Sequence, residues 1–368
     1  MQSREYQTDS SPIDLLTPLL ADPPDISGLK DEVSWNRIKE HSGRYGVAAL
    51  IAYAARPHVS AAERIWCDRV LAESWVRHER MLRHLEYVLG LLADEKIPVI
   101  SLKGPLLAQR YYEPAFLRKP SGDLDLAVTG QDLGAACNVL VRAGYRPDTS
   151  ITEALGRSHH LTFSHASRPS VELHFRLSHM TLGIPVDEFF ERTVSSRLPG
   201  GLEARVLGPA DQLLHLVLHL ATARFGTLFH LFEIRRVCRT ESPGVRAEAL
   251  GRAVDRHFCG ALRMTDIAFR TRLNQPFLPP EVAVPPTWLN WRLNEKLYKE
   301  FELWSMPGRE LTLATRLWGR WLDFQITDGP SDALRSIKLL AQTARFGIAR
   351  RAWSTTKKLA YGPRYSAP

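Results

Sequence analysis

The chain has no closely spaced cysteine pair. Cys67, Cys137, Cys238 and Cys259 stand far apart, and no C-x-x-C occurs. That spacing suggests neither a zinc ribbon nor a disulfide framework, and buried thiols in a reducing cytoplasm are the expectation. Long hydrophobic runs are also missing: no stretch approaches about eighteen uninterrupted apolar residues, so no transmembrane segment is expected. The start, MQSREYQTDSSPIDLL, has no basic segment leading into an apolar one and does not read as a signal peptide. Internal repeats and low-complexity tracts are absent. Together these absences predict a cytoplasmic, globular protein.

Acid is lacking in one place only. From Arg335 to the end there are eight Lys or Arg and no Asp or Glu, while the first 334 residues carry 40 basic and 40 acidic groups. The net charge of +8 therefore belongs to a basic tail and not to the folded body. A balanced body argues against a broad nucleic-acid groove. The tail offers a contact for an anionic partner. Leu334, Ile337, Ala341, Ala344, Ile348 and Ala352 follow helical spacing within it, which also suits a last helix packed on a bundle.

What remains is ordinary globular composition, 44% apolar and 24% charged over 368 residues, enough for a real core in one to three domains. Helical periodicity covers 31–56 and 60–94, the second carrying Ile65, Val70, Leu71, Trp75, Leu82, Leu85, Val88, Leu89 and Leu92 before Pro98 stops it. The period then changes. VISL reads as a strand ending at Lys103-Gly104-Pro105, LLAQRYY as a helical turn or two, DLDLAV as a strand, and GQDLGAACNVLVRAGY as a helix capped by Gly144. HHLTFSH and SVELHFRL alternate and read as paired strands with a turn at Arg168-Pro169. From Pro209 helices return, at PADQLLHLVLHLATARF, 228–240, 244–270, 287–304 and 309–326, with a proline-rich linker between Pro276 and Pro286. The predicted class is α+β: a small mixed sheet between N-terminal helices and a C-terminal helical bundle.

Within DLDLAV, Asp123 and Asp125 share one strand face. In SVELHFRL, Glu172, His174 and Arg176 take the face opposite to Val171, Leu173, Phe175 and Leu177. If the two strands are neighbours, Glu172 stands beside both aspartates. Three carboxylates so close are expected to repel, raising their pKa values or recruiting a cation. An oxygen-preferring divalent ion is the natural partner, and Mg²⁺ takes its remaining ligands from phosphates and water.

The order strand, Gly, short helix, D-x-D strand, then a lone acid on a later strand resembles the DNA polymerase beta-like nucleotidyltransferase superfamily. More narrowly, LKG, RKPSGDLDLAV, HH and VELH resemble a bacterial family of uncharacterised nucleotidyltransferases. The resemblance implies an enzyme in which Asp123, Asp125 and Glu172 hold Mg²⁺, in a two-metal site, and activate an acceptor hydroxyl. It implies transfer of a nucleoside monophosphate from an NTP, ATP by default, to a small molecule, peptide, protein or nucleic acid, with release of pyrophosphate. With the periodicity and the charge distribution, the expected division is an N-terminal helical segment (1–96), a nucleotidyltransferase core (97–205), a C-terminal helical domain (206–334) and the basic tail (335–368). The superfamily usually places serine after the strand-end glycine, where this chain has Pro105 after Gly104. Lys103, Arg118 and Ser121, with Lys119, are then expected to grip the nucleotide phosphates instead. The alternative is a non-catalytic binding or scaffold protein that keeps the fold.

His174 can orient Glu172 or touch the acceptor. His159, His160, His165, His174 and His179 invite a zinc reading, but without cysteines or helical i, i+4 spacing none is expected. His215 and His219 have that spacing but no metalloprotease glutamate, and read as core. The tryptophans at 288, 291, 304, 318 and 321 read as helical packing in preference to base stacking.

Overall fold

The computed structural model describes residues 12–21, 24–25, 32–178, 184–280, 282, 284, 293–305, 313–328, 334, 337 and 341. Helices open the chain: α1 (Pro12–Leu16), α2 (Glu32–Arg44), α3 (Ala48–Ala55) and α4 (Ala61–Asp94). The expected single helix over 31–56 is two. Gly46 has φ +72°, a backbone state that ends a right-handed helix and that glycine adopts without strain. Trp35, Ile38, Ile51 and Cys67 close a first apolar cluster around this break.

The 34-residue α4 begins at a capping box, where Ser60 and Glu63 bond each other's backbone N–H. Its C-terminal half, from Met81 to Leu92, packs on the sheet. The apolar spacing overreached in the first half: Ile65 and Trp75 are 71% and 52% exposed. That part of the helix has no sheet beneath it.

Seven strands form one mixed sheet: β1 (Ile100–Ser101), β2 (Asp123–Ala127), β3 (Arg146–Pro147), β4 (His160–Ser164), β5 (Ser170–His174), β6 (Thr193–Arg197) and β7 (Glu203–Leu207), in the order β3-β4-β5-β2-β1-β7-β6. β2 runs parallel to β5 and β1 parallel to β7; the other pairs are antiparallel. Three helices lie between the strands, α5 (Pro105–Tyr111), α6 (Leu133–Arg142) and α7 (Ile151–Arg157). Gly144 follows α6 at φ +91°, as its sequence position suggests.

Strand alternation decides which face is which. Leu124, Val171 and Phe163 form one cross-strand row, and Leu126, Leu173 and Leu161 the next. All six side chains are buried under α4 and α6. Each contributes roughly 1.5–3 kcal/mol by leaving water. A one-residue slip of β2 would put its aspartates into that layer, so burial pins the register. The other face carries the polar residues of β2 and β5, and beside them Ile100 and Ala127 meet the C-terminal helices.

Those helices are α8 (Pro209–Thr222), α9 (Leu228–Thr240), α10 (Pro243–Asp255), α11 (Cys259–Leu273), α12 (Glu295–Ser305) and α13 (Leu313–Gln325). The helix expected over 244–270 breaks at His257, whose φ is +62°. One apolar core joins β1 and β2, through Ile100, Leu102 and Ala127, to Leu213, Val217 and Ile234 of α8 and α9. Leu334 and Ile337 are 67% and 51% exposed, so these two members of the expected tail stripe are not packed. Ala344, Ile348, Ala352, Arg335 and the remaining basic residues of the tail lie outside the described residues. Trp318 and Trp321 stack on each other with ring centroids 4.5 Å apart.

The approach to β2 is clamped to α9 by a buried ion pair. Arg118 Nε donates to Glu233 Oε1 at 2.5 Å, with side chains 5% and 1% exposed. Removing one member strands the other charge in the core. Arg118→Ala or Glu233→Ala is expected to cost roughly 3–5 kcal/mol, and Arg118→Met with Glu233→Leu together much less than the sum of the single changes. A double-mutant cycle by denaturant unfolding checks this.

Candidate active site

The site grows from three adjacent strands. β1 ends where Leu102 N–H donates to Asp125 O at 3.0 Å. The next residue, Lys103, therefore reaches Asp125, and its Nζ lies 3.0 Å from Oδ1. On the other flank the parallel register sets Asp125 beside Glu172 and Ala127 beside His174. The antiparallel register of β4 then sets His160 beside His174.

Hydrogen bonds run along this row. His174 Nε2–H donates to Asp125 Oδ1 at 3.2 Å, and Glu172 Oε2 is 3.5 Å from the same nitrogen. His160 Nδ1 lies 3.7 Å from Glu172 Oε2 and 3.1 Å from His159 Nε2. Asp123, Asp125, Glu172, His174 and Lys103 thus occupy one region, as the strand alternation predicts. Ligand-competent atoms of Asp125, Glu172 and His174 lie within 4.8 Å of one another. Asp123 stands two residues along β2, opposite Ser170, and is outside that group.

The charges do not behave as three equal carboxylates. Asp123 alone is shifted up, by burial first and then by its neighbours Asp125 and Glu172. Burial also opposes ionisation of Asp125, but the Lys103 ammonium and the His174 ring outweigh it and hold its carboxyl well below the usual range. Glu172 is lowered chiefly by its hydrogen bond to His174. Burial disfavours the charged His174 ring, yet its bonds to Asp125 and Glu172 leave its pKa raised. The expectation that mutual repulsion raises all three acids is corrected: two of them have cationic or donating partners.

Two helices bring residues that the sequence reading assigned to the core. His215 and His219 project from α8 and His230 from α9, and all three feel Lys103. Burial first, then the Lys103 charge, pushes His215 and His230 down to about 3 and His219 well below its ordinary value. His219 and His230 meet edge to face at 4.5 Å, and His230 bonds the Thr227 hydroxyl. Three neutral imidazoles therefore cover the Lys103–Asp125 pair. Their only trace in the sequence is the i, i+4 pair of polar rings in LLHLVLHLA.

The remaining predicted residues lie together elsewhere. Gly104, Arg118 and Ser121 line a crevice of about 10 Å³ with Lys119 and His78. That is room for about one water molecule. Gly104 has φ +75°, and Pro105 occupies the first turn of α5, where its missing N–H costs nothing. Arg118 is committed to Glu233, and its Nη1 is also 3.5 Å from Ser121 Oγ. Of the cations expected to grip phosphate, Lys103 is the one at the acids. His165 meets Tyr145 in a tilted ring pair, and His179 lies outside the described residues.

The unequal charges give opposite stability effects. Asp123→Asn removes a carboxylate that is unfavourable when ionised, so it is expected to raise the melting temperature at neutral pH. That gain fades as pH falls through the raised pKa of Asp123, where the wild-type group is protonated. Asp125→Asn leaves Lys103 without its counter-charge and is expected to cost roughly 3–5 kcal/mol at neutral pH. The wild-type contribution of Asp125 persists into acid, because it is lost only as pH falls through a depressed pKa. Thermal melts of both variants across pH check the two signs.

No curated protein matches the chain. A family model described as an uncharacterised nucleotidyltransferase matches residues 30–268, from the N-terminal helices through all seven strands and into α11. The match includes Lys103, both aspartates, Glu172 and the helices above them, and on that extent the chain belongs to this nucleotidyltransferase family.

Proposed function

We propose that the chain is a Mg²⁺-dependent enzyme of the DNA polymerase beta-like superfamily that transfers a nucleoside monophosphate from an NTP, ATP by default, to an acceptor and releases pyrophosphate. The observation that carries this reading is the in-register pair Asp125 and Glu172 on parallel strands, with Asp123 on the same face and Lys103 Nζ at 3.0 Å. The donor set suits the ion: carboxylate oxygens on rigid strands are the ligands that Mg²⁺ accepts. Asp123, Asp125 and Glu172 would hold it. When bound, Mg²⁺ supplies charge neutralisation for the phosphates and for the oxygens that attack and leave.

The chain's own residues do the rest. Lys103, already beside Asp125, is placed to meet a phosphate oxygen that approaches the acids. Glu172, held as an anion by His174, is placed to accept the proton of an acceptor hydroxyl. The buried His174 fixes both carboxylates in orientation. His215, His219 and His230 exclude water above them while adding no charge of their own, which strengthens every electrostatic contact below. The division into segments 1–96, 97–205, 206–334 and 335–368, an anionic partner for the tail, and a cytoplasmic setting belong to the same proposal.

A second reading, a non-catalytic binding protein on this fold, has specific observations in its favour. Arg118 is locked to Glu233, and the crevice at Gly104 is too small for a phosphate chain. One experiment separates the two. The purified protein is incubated with each labelled NTP and Mg²⁺, and pyrophosphate release and self-labelling are followed. Turnover with one NTP is expected. Glu172→Gln, with its fold checked by circular dichroism, is expected to lower kcat by on the order of 10²–10³-fold. Lys103→Ala is expected to raise KM for the NTP as well as lowering kcat. No turnover with any NTP would remove the catalytic reading, and full activity in Glu172→Gln would remove the role given to Glu172.

A further inference from the structure

Beyond His174 the row continues into two histidines to which nucleotidyl transfer gives no role. His160 opens β4 with His159 just before it, and the antiparallel register places His160 directly across from His174. The backbone of His159 is fixed as well, since its carbonyl accepts from Phe175 N–H and Arg176 N–H at 3.1 and 3.2 Å. The three rings close on one another, with centroids 4.3, 5.3 and 5.0 Å apart. One ring nitrogen from each lies within 4.8 Å of the other two.

The spacing is that of a ligand shell. Four ligands about 2.0–2.1 Å from a tetrahedral zinc ion lie about 3.3 Å from one another. Here His159 Nε2 is 3.1 Å from His160 Nδ1, close to that spacing, and a ring nitrogen of His174 lies within 4.8 Å of both. A second observation is independent of these distances. His174 is 3% exposed, and its Nδ1 is buried with no hydrogen-bond partner. A buried imidazole nitrogen without a partner is costly, and a cation removes the cost. The local charge agrees: three carboxylates face one lysine across the neighbouring strands, leaving room for added positive charge.

We propose that His159, His160 and His174 form a three-nitrogen binding site for a divalent transition ion of the zinc class, beside Glu172 and distinct from the aspartate oxygens of β2. Nitrogen donors select zinc, cobalt or nickel over magnesium, which favours oxygen. The sequence spacing argued against zinc because it was judged by helical and cysteine patterns. A pair of neighbouring strands brings histidines together in a different pattern, H-H at the start of one strand and E-x-H on the next. The inference stands without nucleotidyl transfer, because the ion is detected directly.

The test uses the full chain, stripped of metal with a chelator and titrated with Co²⁺ and, separately, Zn²⁺. Co²⁺ reports its ligands through visible d–d absorption, and calorimetry gives the Zn²⁺ stoichiometry. The expected result is one ion per chain, a Co²⁺ spectrum of a nitrogen-containing site of low coordination number, and no displacement by millimolar Mg²⁺. His159→Ala and His160→Ala, both only partly buried, are expected to weaken binding by about 10–100-fold. His160→Asn serves if the alanine variant fails to fold. Asp123→Asn and His165→Ala are expected to leave binding within twofold of wild type. No stoichiometric binding overturns the proposal, as does binding unchanged in both cluster variants. Loss in Asp123→Asn also overturns it, since the ion would then sit on the β2 oxygens.

Discussion

A single carboxylate organises this molecule. Asp125 is buried at the centre of the sheet, and burial alone would make its charge untenable. It is kept ionised by Lys103 from β1 and by His174 from β5, the two strands on either side of β2. The register brings each partner's backbone to the neighbouring position, and its side chain reaches across to Asp125. Asp125 therefore does two things at once. It is half of a candidate reactive pair, and it is the ion that fixes how three strands must align. The remaining acids take their character from it: Asp123 is shifted up partly by the Asp125 charge, and Glu172 shares its histidine.

The part of the site that lies on strands was legible in the sequence. Period-two alternation in DLDLA and VELH is enough to put Asp123, Asp125, Glu172 and His174 on one face, and the apolar rows behind them leave no other register. The class of fold was legible for the same reason. What was not legible depends on long-range contacts. Nothing local says that Arg118 meets Glu233 on α9, so its charge read as a phosphate ligand. Nothing local distinguishes His219, turned toward Lys103, from a core histidine. The strand β6 is illegible because TVSSR is polar and largely exposed at a sheet edge, where alternation carries little apolar signal. Helix ends were misplaced where one residue adopts positive φ, at Gly46 and His257.

The C-terminal helices belong to the chemistry as much as to the packing. α8 carries His215 and His219 down to the Lys103–Asp125 pair, and α9 carries both His230 and Glu233. Through Glu233, α9 also holds the segment that leads into β2. One helix thus touches the site from above and its approach from the side. The apolar core makes the same connection, since Ile100, Leu102 and Ala127 share a cluster with residues of α8 and α9. A chain ending after β7 would expose that apolar surface and leave the Arg118 charge without its counter-ion.

β1 is the least conspicuous element and the least tolerant of change. It has two residues, Ile100 and Ser101, yet it lies between β2 and β7 near the middle of the sheet. Its brevity leaves Lys103 only two positions beyond the last paired residue, so the ammonium's location is set by counting from β1. One residue gained or lost between Ile100 and Lys103 would move the ammonium away from Asp125, because Leu102 N–H is bonded to Asp125 O and Lys103 follows directly. The longer stretch from α5 to β2 has no such constraint, because its far end is anchored again at Arg118. Length variation among relatives should therefore collect after α5 and be absent between Ile100 and Lys103, an asymmetry in the genetic record imposed by a strand of two residues.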